Sequence, residues 1–168
     1  SVSSVSGIGL FLMGLVAVTA GWYTGLRWPD PTSALNTWMI ASLLAFLLGT
    51  LGAILKANRL KQSLWNDAVR RFLICLLPAL GIGAALTVAL LPTAQLHLIP
   101  AIWMLCYGAG VLAAGTYAAA ILRWMGAAFL GCGAIALFAP GWQPLLLIMS
   151  FGIFHLVFGI ELHRRYGG

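Results

Sequence analysis

The feature that most constrains this chain is the run Leu98–Trp124, LIPAIWMLCYGAGVLAAGTYAAAILRW, which meets no charged residue until Arg123. About 20 mostly apolar residues cross the hydrocarbon core of a bilayer as a helix. Within the run, Gly110, Ala114 and Ala118 recur every fourth residue. On a helix they form one narrow stripe where a second backbone can come close. The run therefore predicts a membrane-spanning helix with a packing stripe, and the stripe carries no catalytic chemistry.

The rest of the chain fits the same solvent. Of 168 residues, 62% are hydrophobic and 7% charged, and mean hydropathy is +1.01, whereas soluble domains carry about a quarter charged residues. Six apolar segments stand out, near residues 7–26, 37–55, 72–91, 98–121, 124–139 and 144–161. Pro-marked or polar connections such as WPDPTS, LLPTAQ and APGWQP separate several of them. Proline ends helices and biases the residue before it away from helical backbone. Short connections force antiparallel neighbours, so the expectation is an all-α, polytopic membrane protein: one domain over 1–168, built as an up-and-down bundle of six helices.

Basic residues orient the bundle. Lys56, Arg59, Lys61, Arg70 and Arg71 lie in the connection after the second segment, Arg123 follows the fourth, and Arg164 and Arg165 close the chain. In a six-span protein these places share one side, and only Arg27 falls opposite, so the positive-inside rule puts both termini in the cytoplasm. Trp28, Trp38, Trp103 and Trp142 then sit near the outer ends, and Trp65 and Trp124 near the inner ones, as headgroup-level tryptophans do. An outer aromatic surface for a pigment, quinone or partner is the alternative. In the connection 56–71, Leu60, Leu64, Ala68 and Phe72 repeat every fourth residue between polar ones, the pattern of an amphipathic helix lying on the membrane. Its basic face suits anionic lipid or a cytoplasmic partner.

The net charge of +6 is accounted for by this topology and calls for no nucleic acid. Cys75, Cys106 and Cys132 lie inside apolar segments without metal-site spacing and read as small packing residues. Paired intramembrane carboxylates, H-E-x-x-H, G-x-S-x-G and phosphate-binding glycine loops are all missing from the sequence, so hydrolytic and nucleotide-dependent mechanisms lack their parts. No cofactor is expected. The chain opens on Ser1 without the basic start of a signal peptide, which implies a removed terminus or an upstream piece.

Ionisable groups at membrane depth default to functional hypotheses. Asp30 and Asp67 fall in polar connections, and Glu161 precedes Arg165 by one helical turn, the favourable order for an ion pair. His155 differs: it lies about 17 Å from the outer end of the last segment, near mid-bilayer. Depth counted along antiparallel helices brings Thr50 and Tyr107 to a similar level, so His155, Tyr107 and Thr50 form the candidate polar cluster. An interhelical hydrogen bond is the structural reading; a haem ligand, a protonation switch or a ligand contact are the functional ones. His97 and His163 stay at the two interfaces, which leaves no second histidine at haem depth.

Two stretches echo each other. Gly14–Trp28, GLVAVTAGWYTGLRW, and Gly110–Trp124, GVLAAGTYAAAILRW, share length, first residue and a Leu-Arg-Trp end, and AFLLGTLGAIL in the second segment resembles AFLGCGAIAL in the fifth. A repeating three-helix unit must invert its topology, the construction of many transporters. Small-residue composition alone often produces such echoes, and chance is the favoured explanation of this one.

Through LIPAIWMLCYG at 98–108 and HLVFGIELHRRYGG at 155–168, the chain resembles a group of small uncharacterised bacterial multi-pass membrane proteins. Their pattern is L-P-G-x-W-x-L-L-Y-G followed by a last helix with a histidine and an R-R-Y-G-G end. Ala101 stands where the group has glycine, and the polar leader expected before the first helix is not present. The resemblance implies a bacterial cytoplasmic membrane protein and carries no activity. The functional expectation is thus a non-enzymatic accessory or structural subunit whose partners are the bilayer and other membrane proteins or itself. A small transporter or ligand sensor with a site near His155, and a haem or quinone protein, are the alternatives.

Overall fold

The computed structural model describes residues 5–27 and 31–166, and they are helical almost throughout. Six spans are long and apolar enough to cross a membrane. They are α1 (Gly7–Arg27), α2 (Pro31–Arg59), α3 (Asp67–Leu90), α4 (Ile99–Ala114), α5 (Ile121–Phe138) and a sixth span in three consecutive pieces. Those pieces are α6 (Gln143–Leu147), a π-helical stretch (Ile148–Phe154) and α7 (His155–Tyr166). The all-α, six-span class is what the chain forms. Trp28, Asp30 and the side chain of Arg27, used above for the outer face, lie outside the described residues.

Two boundaries correct the sequence reading. α4 stops at Ala114, and the residues from Gly115 to Ala120 form a turn in which the Gly115 and Tyr117 N–H groups donate to Val111 and Ala114. Ala118 therefore belongs to the turn and leaves the stripe with Gly110 and Ala114, while Arg123 sits in the first turn of α5. Two helices packed antiparallel along their length need several residues to reverse the chain, so a fourth helix running on to 121 leaves no room for the hairpin.

The second correction concerns residues 56–71, which do not form a surface helix. α2 runs on to Arg59 and is closed by a Schellman motif: Lys61 N–H donates to Asn58 and Gln62 N–H to Ala57, with Lys61 at φ 51°. That left-handed residue satisfies the last carbonyls and turns the chain. Asn66 then starts α3, its Oδ1 accepting from Val69 N–H at 3.0 Å. The every-fourth pattern of Leu60, Leu64, Ala68 and Phe72 is split between a loop and a new helix.

The six spans fall into two compact units, residues 1–70 with 151–168, and 71–150. In the first, α1 packs on α2 and on the end of the sixth span. A Cβ on Gly7 would sit 2.7 Å from the Gly159 carbonyl oxygen, and one on Gly14 2.9 Å from that of Gly152. On another face of α1, a Cβ on Gly52 would sit 2.7 Å from the Gly9 Cα. In the second unit α4 and α5 approach in the same way, a Cβ on Gly108 falling 2.9 Å from the Gly126 carbonyl oxygen. Phe129, Met104, Met125 and Leu122 fill the core around that contact. Lipid is as apolar as leucine, so these contacts gain dispersion at backbone distance where a hydrophobic driving force is missing.

Candidate functional site

His155 lies where the π-helical stretch gives way to α7 and is 2% exposed. Phe151, one turn earlier in the same span, stacks on it with centroids 6.2 Å apart and planes 14° apart. Phe151 also meets Trp38 of α2, tilted at 6.3 Å between ring centroids. The three rings belong to the first unit. The indole N–H of Trp38 is buried and has no hydrogen-bond partner among the described residues. A buried donor without an acceptor costs about 1–3 kcal/mol, and π-helical insertions recur at functional sites. Chemically the arrangement offers one unused hydrogen-bond donor beside an aromatic ladder that ends in an imidazole.

The residues expected to share a depth are placed as follows within their own units. Thr50 is exposed on α2. Tyr107 belongs to the second unit, where its ring packs on Phe129 with centroids 4.9 Å apart. Depth along a helix is legible from residue count, but the face each side chain takes is set by packing. Of the helix stripe, Gly110 faces α3, a Cβ there lying 3.1 Å from the Ala79 Cβ, and Ala114 is fully buried.

The basic residues divide as well. Arg59, Lys61, Arg70 and Arg71 are exposed. Arg70 reaches Asp67 at 3.7 Å, and Arg71 lies 5.7 Å from the Tyr117 ring centroid, a cation–π contact. Lys56 is no surface charge: it is buried, and its Nζ donates to the Val5 carbonyl at 3.1 Å. At the other end of the chain, Glu161 and Arg165 pair as their spacing implies.

Sequence reasoning missed two polar clamps in the second unit. Gln143 is buried and its Nε2 donates to the carbonyls of His97, at 2.8 Å, and Ala136, at 3.2 Å. Trp103 donates through Nε1 to Thr87 Oγ1 at 2.9 Å, and that hydroxyl donates in turn to the Gly83 carbonyl. Thus Trp38 and Trp103 turn inward, while Trp65, Trp124 and Trp142 are exposed as belt residues are. The Q-P pair opening the last span was the signal for Gln143, since an amide just inside an apolar run needs partners.

Among the described residues no group of three His, Cys, Asp or Glu side chains comes together in a way that would hold a metal ion. Comparison with family models, with curated proteins and with solved structures yields no match for this chain.

Proposed function

We propose that the protein is a non-enzymatic multi-pass protein of the bacterial cytoplasmic membrane, with both termini in the cytoplasm, that acts as an accessory or structural subunit by packing against another membrane protein. The observation that carries this reading is the outer face of α3. There Gly81, Ala85 and Ala89, at four-residue spacing, are all exposed, and a Cβ on Gly81 would meet nothing within 4 Å. Small side chains facing lipid forgo the close approach they permit; facing a partner helix they use it. The test is affinity capture of the full chain from native membranes in mild detergent, beside Ala85→Leu. A partner held by the wild type and released by the variant, with the variant's own melting unchanged, supports the reading. A chain that elutes alone in both cases overturns it.

Orientation has its own test. A cysteine at Ser63, in a background with Cys75, Cys106 and Cys132 replaced, is expected to react only from the inside, because the exposed basic residues around it belong on the cytoplasmic side. Labelling by an impermeant reagent added to intact cells reverses the topology.

One observation favours the second reading, a transporter or ligand sensor: the unused Trp38 N–H beside Phe151 and His155. A ligand carbonyl is the acceptor that donor lacks. Trp38→Phe then abolishes ligand-dependent stabilisation, whereas under the accessory reading it removes an unpaired polar group and leaves stability the same or higher. A haem or quinone would declare itself by an absorption band in the purified protein.

A further inference from the structure

We infer that the chain is a tandem pair of three-helix repeats that have traded their third helices, and that α3, the looser of the traded pair, is its moving part. The inference does not rest on the accessory-subunit reading.

The register comes from the sequence echo. The shift that carries Gly14 onto Gly110 carries Gly9 onto Leu105 and Gly7 onto Trp103, and the shared Gly-Ala-Ile carries Gly52 onto Gly133. In the first unit Gly9 meets Gly52; in the second a Cβ on Gly133 would sit 3.0 Å from Leu105 N. With the register set by that Gly-Ala-Ile, the contact between first and second helices falls at equivalent positions in both units. Composition alone makes glycines frequent, but it does not make their contacts coincide.

The third helices repeat the result. Gly14 meets Gly152 of the sixth span, and its counterpart Gly110 meets Leu76 of α3. That equivalence fixes a shift, and the same shift carries Gly159 onto Gly83. Gly7 meets Gly159, and its counterpart Trp103 meets Gly83, 3.4 Å from ring to Cβ. Yet α3 follows α2 in sequence and meets α4 of the second unit through Gly83 and Gly110, while α7 follows α5 and α6 and packs on α1 of the first. Each repeat has given its third helix to the other. The Leu-Arg-Trp ends of the echo are not equivalent, since Arg27 closes α1 and Arg123 opens α5.

The two traded helices are held differently. In the first unit Gly7, Gly14, Gly152 and Gly159 bring backbone against backbone. In the second, Trp103 stands for Gly7 and Leu76 for Gly152, so each of these α3–α4 contacts sets a glycine against a bulky side chain. Pro78 lies inside α3 and removes one helical hydrogen bond. Ile74, Leu77, Ile82, Leu86 and Val88 are exposed. A helix with few close contacts opens at low free-energy cost, and here the Thr87–Trp103 bond and the Arg71–Tyr117 contact tether its two ends.

Two measurements on the full chain test this. The Cβ positions of Gly83 and Cys106 are 3.5 Å apart, within the span of a disulfide. Gly83→Cys, with Cys75 and Cys132 changed to serine, is expected to fold and, on oxidation, to lose both free thiols; two thiols that stay reactive would remove α3 from α4 and end the traded-helix arrangement. The second measurement places spin labels at exposed sites of a cysteine-free chain, Ile82 with Ala113 for the α3–α4 pair and Leu15 with Ile160 for the α1–α7 pair. The α3 distance distribution is expected to be at least about twice as wide. Equal widths would show that α3 is not the moving part.

Discussion

Lys56 Nζ and the Val5 carbonyl oxygen are 3.1 Å apart, in a place where only 4% of the lysine remains exposed. The bond ties the last turns of α2 to the segment that enters α1, where Ser6 Oγ accepts from Gly9 N–H. Lys56→Met keeps the aliphatic stem and removes the donor. Loss of this charge-assisted bond is expected to cost about 1–2 kcal/mol, read as a lower melting temperature in detergent and faster amide exchange in the first turn of α1. Unchanged melting would return Lys56 to the surface role its charge implied.

At Lys61 the backbone is left-handed, with φ 51°, a conformation that costs a side-chain-bearing residue about 1–2 kcal/mol. Lys61→Gly relieves that cost but adds freedom to the unfolded chain. The expected balance is a gain of about 0.5–1 kcal/mol, measured by thermal melting. A loss would mean that the lysine side chain contributes more than its backbone costs.

The α4–α5 contact makes a paired prediction. A Cβ on Gly126 would collide with Leu112 N and lie 2.7 Å from the Gly108 carbonyl oxygen, whereas one on Gly131 would meet nothing within 4 Å. Gly126→Ala is expected to cost about 1–3 kcal/mol by forcing the helices apart, and Gly131→Ala to stay within about 0.5 kcal/mol of the wild type. Equal effects at the two positions would deny the close approach.

For His155, side-chain replacements separate ring from polarity. His155→Gln gives up the stack on Phe151 but can still donate and accept, so a loss of about 1 kcal/mol is expected. His155→Leu gives up both and is expected to lose about 2 kcal/mol. If Leu melts above Gln, the imidazole's polarity is not structural, and a role with a ligand becomes the better reading.

The sequence carried those parts of the molecule that depend on residue type and local spacing. Six spans were legible because a run of apolar residues commits the backbone to helix in lipid, whatever it packs against. The Glu161–Arg165 pair was legible because one helical turn brings the two side chains together. Helix ends were less so. The break after Ala114 and the left-handed Lys61 answer to the need to reverse the chain, and neither residue type announces it.

Which faces meet was decided by the tertiary structure alone. Thr50 is exposed on its helix, the Tyr107 ring packs on Phe129, and Phe151 stacks on His155 and also meets Trp38, none of which residue count along a helix announces. Lys56, Gln143 and Trp103 look in sequence like interface residues, and each finds a partner distant in the chain. The sequence by itself determined the solvent, the number of spans and the glycines that allow backbones to touch. Only the folded chain decided which backbones touch, because close approach in lipid is won by shape: a glycine permits contact with any helix, and the helix it meets is the one whose own small residues fall in register.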